Sequence, residues 1–464
     1  MVQNLTEGRP LKLLFFFALP MVAGNLFQQL YNMVDTMVVG KFVGEDAVAA
    51  VGSSFPIVFL SVAVASGLSM GSNVVVSQLF GAGRIHEMKS TISTAIISLS
   101  VLGLIIMALG TVLAGPLLQL LGTDPDIMAD SRLYLQIYFG GAVFLFLYNT
   151  LNGIYNAQGD SRTPLLFLMI SSLTNIVLDL VFVIQFHMGV AGVAWATFLC
   201  QGVSCVLAVW AVARRMQGIP TPEKPALFSW RMLGKIAVIA VPSILQQSSV
   251  SVGNIIIQSV INSFGASVIA GYSAAVKLNN LVITSFTTLA NGISNYTSQN
   301  LGAAKPERVR QGYLAGVKLV WLICVPLAAA YFFAGRQLLF LFMNEPTGTA
   351  IETGILFLRI VAPFYFVVSL KLVSDGVLRG CSLMVQFMVA TFADLILRVA
   401  LSVALSATAL GSTGIWLSWP IGWAIGTGLS LYFCLRALGR AKRAAAVPET
   451  AEPAACPAPA GEEA

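Results

Sequence analysis

Long apolar stretches, separated by short polar segments, follow one another along nearly the whole chain. Twelve of them are long enough to cross a membrane as a helix, which takes about 20 residues. They fall at 12–38, 52–78, 91–113, 133–156, 164–186, 190–213, 234–260, 270–297, 312–334, 356–377, 385–407 and 412–436. The pattern predicts an all-α integral membrane protein with twelve transmembrane helices.

The composition agrees with this prediction and excludes several function classes. Of 464 residues, 57% are hydrophobic and 10% are charged, whereas a soluble protein has about 25% charged residues. We therefore expect the surrounding partner to be a lipid bilayer, and we read the net charge of +6 through its placement rather than as nucleic-acid affinity. The six cysteines and two histidines are scattered. They indicate no disulfide framework, metal cluster, cofactor site or enzyme active site.

The chain contains an internal repeat at an offset of 221 or 222 residues. "SQLFGAG" at 77–83 returns as "SQNLGAA" at 298–304, and "FALP" at 17–20 returns as "IAVP" at 239–242. "LLGTDP" at 120–125 matches "LFMNEP" at 341–346, and "GVAG" at 189–192 matches "GSTG" at 411–414. An even number of helices separates the copies, so the repeats are parallel. Such architectures bind substrate between the halves and alternate access by rocking them.

The repeat and the composition divide the chain into four segments. We predict an N-terminal six-helix lobe at 1–213, an inter-lobe loop at 214–233, a C-terminal six-helix lobe at 234–440 and a disordered tail at 441–464. Placing both termini in the cytoplasm puts eighteen basic residues in the inner segments and three in the outer ones. The positive-inside rule favours that orientation.

Acidic residues within the predicted spans are the strongest functional candidates, because a charge inside the membrane is costly. Asp35 in the first span and Asp179 in the fifth have no basic residue in any core of the N-terminal half. The C-terminal half instead has acids and bases spaced four residues apart, which lie on one helix face and can neutralise each other; the sequence leaves open whether they are paired in this way or functional. These are Lys371 with Asp375 and Asp394 with Arg398. The first two acids therefore require an exchangeable positive partner, such as a proton, a metal cation or a cationic substrate.

The depth of these residues predicts a shared site. At about 1.5 Å per residue, Asp35, Asp179 and Thr197 all fall in the outer half of the membrane, and Asn175 lies one turn before Asp179. Carboxylate, amide and hydroxyl oxygens suit Na⁺, and a buried carboxylate also suits a proton. The alternative for Asn175 and Thr197 is hydrogen bonding between helices.

Other polar positions are weaker candidates. Pro20 and its repeat partner Pro242 interrupt matching helices, as a hinge or as a static bend. The remaining side chains are candidates for lining a substrate cavity. They are Gln28, Tyr31, Gln246, Gln247, Lys277 and Asp375.

The chain resembles the multidrug and toxic compound extrusion (MATE) transporters over about 5–440. The resemblance rests on the opening "EGRPLKLLFFFALPMVAGNLFQQLYNMVDTMVVGKFVG", the "SQLFGAG"/"SQNLGAA" pair, and "NAQGDSRTP" at 156–164 with its weaker copy "LRGCSLMV" at 378–385. It implies a V-shaped pair of six-helix bundles that exports organic, often cationic and amphiphilic, compounds in exchange for Na⁺ or H⁺.

The resemblance also implies roles for individual residues. Prokaryotic relatives hold the ion with an Asp in helix 1, an Asn and an Asp in helix 5 and a Thr in helix 6, with a supporting Tyr and Asn from helix 4. Ion binding is thought to bend helix 1 near its proline, here Pro20. The matching ion-site positions are Asp35, Asn175, Asp179 and Thr197, and the supporting positions are Tyr134 and Asn152.

One departure from the family is the absence of an acidic residue in helix 7, which places the coupling in the N-terminal lobe and leaves zwitterionic or anionic substrates open. The expected function is an antiporter of the inner (plasma) membrane, acting as a monomer on small molecules with Na⁺ or H⁺ as coupling ion and no other cofactor. The alternative is a flippase for a lipid-linked oligosaccharide. Its cationic cavity would depend on three bases, which are Lys277, Lys371 and Arg398.

Overall fold

The computed structural model describes residues 3–221, 223–340 and 348–445, and this part of the chain is almost entirely helical. The first half contains α1 (Pro10–Phe42), α2 (Glu45–Gly81), α3 (Ile85–Leu120), α4 (Met128–Gly140), α5 (Ala142–Ala157), α6 (Arg162–Leu180), a π-helix (Val181–Gln185) and α7 (Gly189–Gln217). The second contains α8 (Trp230–Asn262), α9 (Ala266–Gly302), α10 (Pro306–Phe333), α11 (Gly335–Leu339), α12 (Thr349–Val361), a 3₁₀-helix (Ala362–Phe364), α13 (Tyr365–Gly380), α14 (Met384–Ser406) and α15 (Ser412–Ala445).

The helices confirm the predicted all-α membrane architecture. In the described residues, eleven helical segments are long and apolar enough to cross a membrane, and the bent pair α4 and α5 makes twelve. The bend of 49° falls at Gly140 and Gly141. A Cβ on Gly141 would lie 3.2 Å from the Phe198 ring, so glycine lets the break pack closely against α7. The apolar run is continuous here, which explains why the sequence predicts one straight helix.

The repeat is visible in the backbone as well as in the sequence. Residues with positive φ, a conformation that favours glycine, recur at offsets of 221 to 223 residues. The pairs are Gly44 with Gly265, Gly83 with Ala304, Gly159 with Ser382 and Gly189 with Gly411. The two halves therefore repeat their turns as well as their helices. The predicted match at 341–346 lies outside the described residues.

The chain forms two compact units whose boundaries fall inside helices. The first unit contains Gln3 and Leu19–Gln247, and the second contains Asn4–Ala18 and the residues from Ser248 onward. The start of α8 belongs to the first unit because Gly67 on α2 allows close contact, with the position of a Cβ only 2.6 Å from the Ile244 nitrogen. In the second unit, Phe17 packs 3.6 Å from the Cβ position of Gly292.

These units differ from the predicted lobes, 1–213 and 234–440, which describe the sequence repeat. The change of unit occurs within α1 and α8 rather than in the loop at 214–233. At the other end of the chain, α15 continues to Ala445, five residues into the segment predicted to be disordered. The rest of that segment lies outside the described residues.

Candidate coupling-ion site

Two carboxylates from distant parts of the chain meet within the first unit. Asp35 lies on α1 and is half-buried, whereas Asp179 lies at the end of α6 and is 0% exposed. The two side chains are close enough to share a hydrogen bond when one of them holds a proton. The structure therefore brings together the two acids that the sequence singles out.

Neither carboxylate has a positive partner in the described residues. Asp179 has both oxygens buried without a hydrogen-bond donor, and Oδ1 of Asp35 is in the same state. The ion pairs of the described residues lie elsewhere. Because an isolated buried carboxylate is strongly disfavoured, this pair requires a proton or a bound cation.

Asn175 completes the polar end of α6. It lies one helical turn before Asp179, is 2% exposed, and has neither its amide nitrogen nor its amide oxygen in a hydrogen bond of good geometry. The thiol of Cys200 on α7 lies beside it and is at best a weak partner. The amide oxygen is therefore free to accept a bond from a proton carrier or to ligate a cation.

The hydroxyl groups around the carboxylates come from three helices. Tyr31, one turn before Asp35 on α1, lies within hydrogen-bond reach of Thr197 on α7 and close to both acids. Tyr134 on α4 also lies close to both and stacks on Tyr138 with ring centroids 6.4 Å apart. Tyr31, a candidate for the substrate cavity in the sequence analysis, thus lies beside the candidate ion site. Its spacing of four residues from Asp35 is the signal that indicates this position.

The second supporting residue, Asn152, has a different environment. It is half-buried on α5 and lies beside Tyr148 one turn earlier. In the described part of the chain, neither Asp35 nor Asp179 has it as a hydrogen-bond partner. The structure therefore places Tyr134 near the carboxylates and Asn152 beside another tyrosine, Tyr148.

The helix that holds Asp179 changes its winding directly after this residue. α6 ends at Leu180, and Val181–Gln185 form a π-helix. Single π-turns within α-helices are frequent at functional sites. Next to this turn, Val183, Val39 and Val193 form an apolar cluster against which Tyr134 packs.

The remaining predicted positions are distributed over both units. Pro20 lies in a continuous α1, two residues after Ala18, where the helix passes from the second unit to the first. The cavity candidates of the first unit are Gln28 and Gln247, which are exposed, and Gln246, which is half-buried. Lys277 in the second unit is exposed.

Asp375 is part of a buried charge cluster in the second unit. Its carboxylate lies 3.0 Å from Nζ of Lys371 and accepts a hydrogen bond of 2.5 Å from Ser430 on α15. Lys371 also lies 3.9 Å from Asp394. The predicted pair Lys371–Asp375 is confirmed, and the ammonium group is bound to a second carboxylate as well.

The predicted pair Asp394–Arg398 is wrong. Among the ion pairs of the described residues, Asp394 has Lys371 as its partner, because that ammonium reaches across from α13. The Arg398 guanidinium instead lies over the Trp419 ring, 4.7 Å from its centroid. Gly422 and Gly426 make room for this arrangement: a Cβ on Gly426 would lie 2.8 Å from the Lys371 side chain.

Comparison with known proteins agrees with the fold and shows the family. The MatE family model matches residues 20–181 and 242–404, one match in each half of the repeat. A protein of Bacillus subtilis (strain 168) named "Probable multidrug resistance protein YpnP" is 30% identical over 432 residues, covering 93% of this chain and 94% of that protein. A protein of Shewanella oneidensis named "FAD transporter" is 25% identical over 346 residues, covering 72% of this chain and 75% of that protein.

Solved structures show the same fold. A MOP superfamily transporter from Pyrococcus furiosus superposes with a TM-score of 0.88 at 23% identity, covering 95% of this chain and 98% of that one. A crystal structure of a MATE protein in a bent conformation gives a TM-score of 0.88 at 24% identity, covering 96% and 99%. The chain therefore belongs to the MATE family of multidrug efflux transporters and is a multi-pass membrane protein.

Proposed function

We propose that this protein is a secondary antiporter that exports organic compounds, many of them cationic and amphiphilic, in exchange for H⁺ or Na⁺ bound between Asp35 and Asp179. The observation on which this rests is the contact of two carboxylates, one of them 0% exposed, without a base in the described residues. The charge of this pair must be balanced by something that arrives and leaves. A proton fits through a hydrogen bond between the acids, and Na⁺ fits through their oxygens together with Asn175 and Thr197.

The position of Pro20 supports a mechanical link to the site. The proline removes one helical hydrogen bond, and α1 passes between the two compact units two residues earlier. Occupation of Asp35 on the same helix therefore changes the charge of a segment that can bend. By linkage, the ion weakens substrate binding by the same factor as substrate weakens ion binding.

The same proposal includes the location, oligomeric state and substrates of the protein. The protein acts in the bacterial plasma membrane as a monomer, with both termini in the cytoplasm, where the excess of Lys and Arg lies. It acts on small molecules and needs no cofactor apart from the coupling ion. The flippase alternative loses one of its three bases, because Lys371 is bound to Asp375 and Asp394.

The test uses purified protein in proteoliposomes loaded with ethidium. A pH gradient and a Na⁺ gradient are imposed in separate experiments. We expect one of them to drive ethidium efflux, and that gradient identifies the coupling ion. Asp35→Asn should reduce efflux to the level of ethidium-loaded liposomes that contain no protein. The amount of reconstituted protein and its helicity should be the same as for the wild type. Asp46→Asn, an exposed acid in α2, is the matched control and should transport normally. Unchanged efflux by Asp35→Asn would overturn the proposal.

A further inference from the structure

We propose that the last turns of α7 form a binding site for an anionic phospholipid, with its phosphate at Arg214 and an acyl chain along the helix. This inference goes beyond the proposed antiport, since it concerns a lipid held by the first unit rather than the exported compound. The observations behind it are a surface groove, an exposed apolar stripe that leads to the groove, and an arginine beside it that has no carboxylate partner in the described residues.

One face of α7 exposes large apolar side chains over about three turns. Residues three or four apart share a face of a helix, and the exposed residues follow this spacing. They are Leu199, Val203, Val206, Leu207 and Trp210, of which Val206 is 63% exposed. An exposed apolar patch of this size in a membrane protein indicates contact with lipid. From Leu199 to Trp210 the helix rises about 16 Å, close to half of the hydrocarbon thickness of about 30 Å, so the stripe matches one acyl chain of a single leaflet.

The stripe ends in a groove with a volume of ≈ 290 Å³, lined by Trp210, Ala213, Arg214 and Gln217. These four positions continue the same face of α7 over two further turns. The small side chain of Ala213 leaves space between its larger neighbours. Exposed tryptophans lie preferentially at the level of the lipid headgroups, and Trp210 is 58% exposed. Arg214, about 6 Å further along the axis, therefore lies where lipid phosphates are found.

The two adjacent arginines at this end of α7 have different partners. Arg215 binds the carboxylate of Asp160 at 3.0 Å. Arg214 is exposed and belongs to none of the ion pairs of the described residues. Its guanidinium lies over the Trp210 ring, 5.2 Å from the centroid, and this cation–π contact holds it beside the groove. Because arginine donates in its own plane, in a fork that matches phosphate oxygens, stacking on the ring leaves its donors available to a headgroup.

The charges at this end favour a negatively charged lipid. The ion pair between Asp160 and Arg215 places the turn before α6 beside the end of α7 and neutralises the acid of that turn. Arg162, the first residue of α6, is exposed, so a second positive charge lies at the same end of this helix pair. The groove lining contains no acid. Basic pockets at helix ends attract anionic headgroups, and phosphatidylglycerol is therefore favoured over the zwitterionic phosphatidylcholine.

The test measures which lipid lies beside Trp210. The full chain is reconstituted in vesicles of phosphatidylglycerol and phosphatidylcholine, and one lipid at a time has brominated acyl chains, which quench tryptophan fluorescence. Subtracting the signal of Trp210→Phe isolates this residue among the seven tryptophans. We expect phosphatidylglycerol to bind here about fivefold more strongly than phosphatidylcholine, the effect of one basic residue near the membrane surface. In Arg214→Met, measured against its own Trp210→Phe background, this ratio should fall to about one.

Two further variants make the test specific. Ala213→Leu keeps every charge and fills the groove, so the preference for phosphatidylglycerol should be lost here too. Arg231→Met is the matched control: it removes an exposed arginine that follows the exposed Trp230 in the sequence but is not part of the groove lining. This variant should keep the wild-type ratio. If Arg214→Met does not fold, as judged by its helicity, Ala213→Leu decides the question.

Several results would overturn the proposal. They are equal affinity of the two lipids for the wild type, an unchanged ratio in Arg214→Met or in Ala213→Leu, and an equal fall in Arg231→Met. Glycerol 3-phosphate added to the aqueous phase should leave the ratio unchanged, because it has no acyl chain to lie along α7; loss of the ratio would show that the site binds a free phosphate instead. All measurements are made without an ion gradient, so a failure of the antiport mechanism and a failure of the lipid site are distinguishable.

Discussion

In the first unit, Asp35 and Asp179 lie within hydrogen-bond reach of each other without a base in the described residues, whereas in the second unit Lys371 lies 3.0 Å from Asp375 and 3.9 Å from Asp394. Both arrangements hold two carboxylates from different helices close together. The difference is the cation. In the second unit it is an ammonium group covalently attached to α13, while in the first it must come from solution.

This contrast indicates how a repeat can divide its tasks. The two halves share turns at matching positions, and α1, α2, α4 and α5 have the same lengths as α8, α9, α12 and α13, so similar backbones support both charge patterns. A covalently attached lysine cannot leave, and it therefore stabilises without transmitting a gradient. A proton or Na⁺ can leave, and its free energy of binding can be used for transport. The asymmetry of charge, rather than of fold, is the reason we propose ion coupling in the first unit.

The largest expected effect comes from placing a lysine beside a buried carboxylate of the first unit, as in the second unit. Asp179→Lys places a permanent ammonium beside Asp35, as Lys371 lies beside Asp375. The lysine would then occupy the place of the coupling ion and could not leave. We therefore expect gradient-driven ethidium efflux to fall to the background of liposomes without protein. Asp179→Glu keeps a carboxylate and is the matched control, with efflux partly retained. An Asp179→Lys protein that transports like the wild type would break the comparison.

The reverse change removes the internal cation of the second unit. Lys371→Met leaves Asp375 and Asp394 buried without their ammonium partner, which typically costs about 3–5 kcal/mol. The free energy of unfolding, measured by SDS titration in mixed micelles, should fall by that amount. Lys318→Met, which removes an exposed lysine of the same unit, should change it by less than about 0.5 kcal/mol. Equal stability of the two variants would show that Lys371 is not needed to balance these acids.

The sequence predicts much of this contrast. Apolar length is enough to locate the spans, since crossing a membrane requires a run of about 20 residues. Asp35 and Asp179 stand out because acids in such runs are rare. The spacing of Lys371 and Asp375 predicts their pair because side chains four residues apart share a helix face.

What the sequence does not predict depends on contacts between helices. Asp394 pairs with Lys371 rather than with Arg398 because α13 brings an ammonium group into reach, and helical spacing contains no information about neighbouring helices. The glycine pair at 140–141 is typical of a break in a helix, but the size of the bend depends on the packing of α5 against α7. The start of α1 belongs to the second unit and the start of α8 to the first. This assignment likewise depends on close packing, at Gly292 for α1 and at Gly67 for α8.

A smaller effect tests the packing that encloses the second charge cluster. A Cβ on Gly426 would lie 2.8 Å from Cβ of Asp394 and 2.8 Å from Cε of Lys371. Gly426→Ala should therefore lower the free energy of unfolding by about 1–3 kcal/mol, the usual cost of overpacking. Gly428 lies on the same helix with nothing within 4 Å of its Cβ position. Gly428→Ala should be neutral or stabilising, because alanine favours a helix. A neutral Gly426→Ala would contradict the close contact.

The smallest effect concerns a salt bridge at the turn before α6, where the units differ again. In the first unit, Asp160 is 3% exposed, lies 3.0 Å from Arg215, and accepts two hydrogen bonds from Thr163. The matching turn of the second unit has Ser382 at positive φ. Burial raises the pKa of the Asp160 carboxyl, but the bonds from Thr163 and the charge of Arg215 outweigh it and hold that pKa below its usual value.

A lowered pKa in the folded state gives the sign of the pH dependence. The unfolded carboxyl binds protons first as the pH falls, at about 3.9, so the stabilisation is complete above that value and is lost below it. At pH 7, Asp160→Asn should lower the free energy of unfolding by about 1–2 kcal/mol, the worth of a hydrogen bond to a charged group. The deficit relative to wild type should shrink as the pH falls below about 4. Asp126→Asn, on an exposed loop, should show neither effect, and a deficit of Asp160→Asn that is independent of pH would contradict a role for the Asp160 charge.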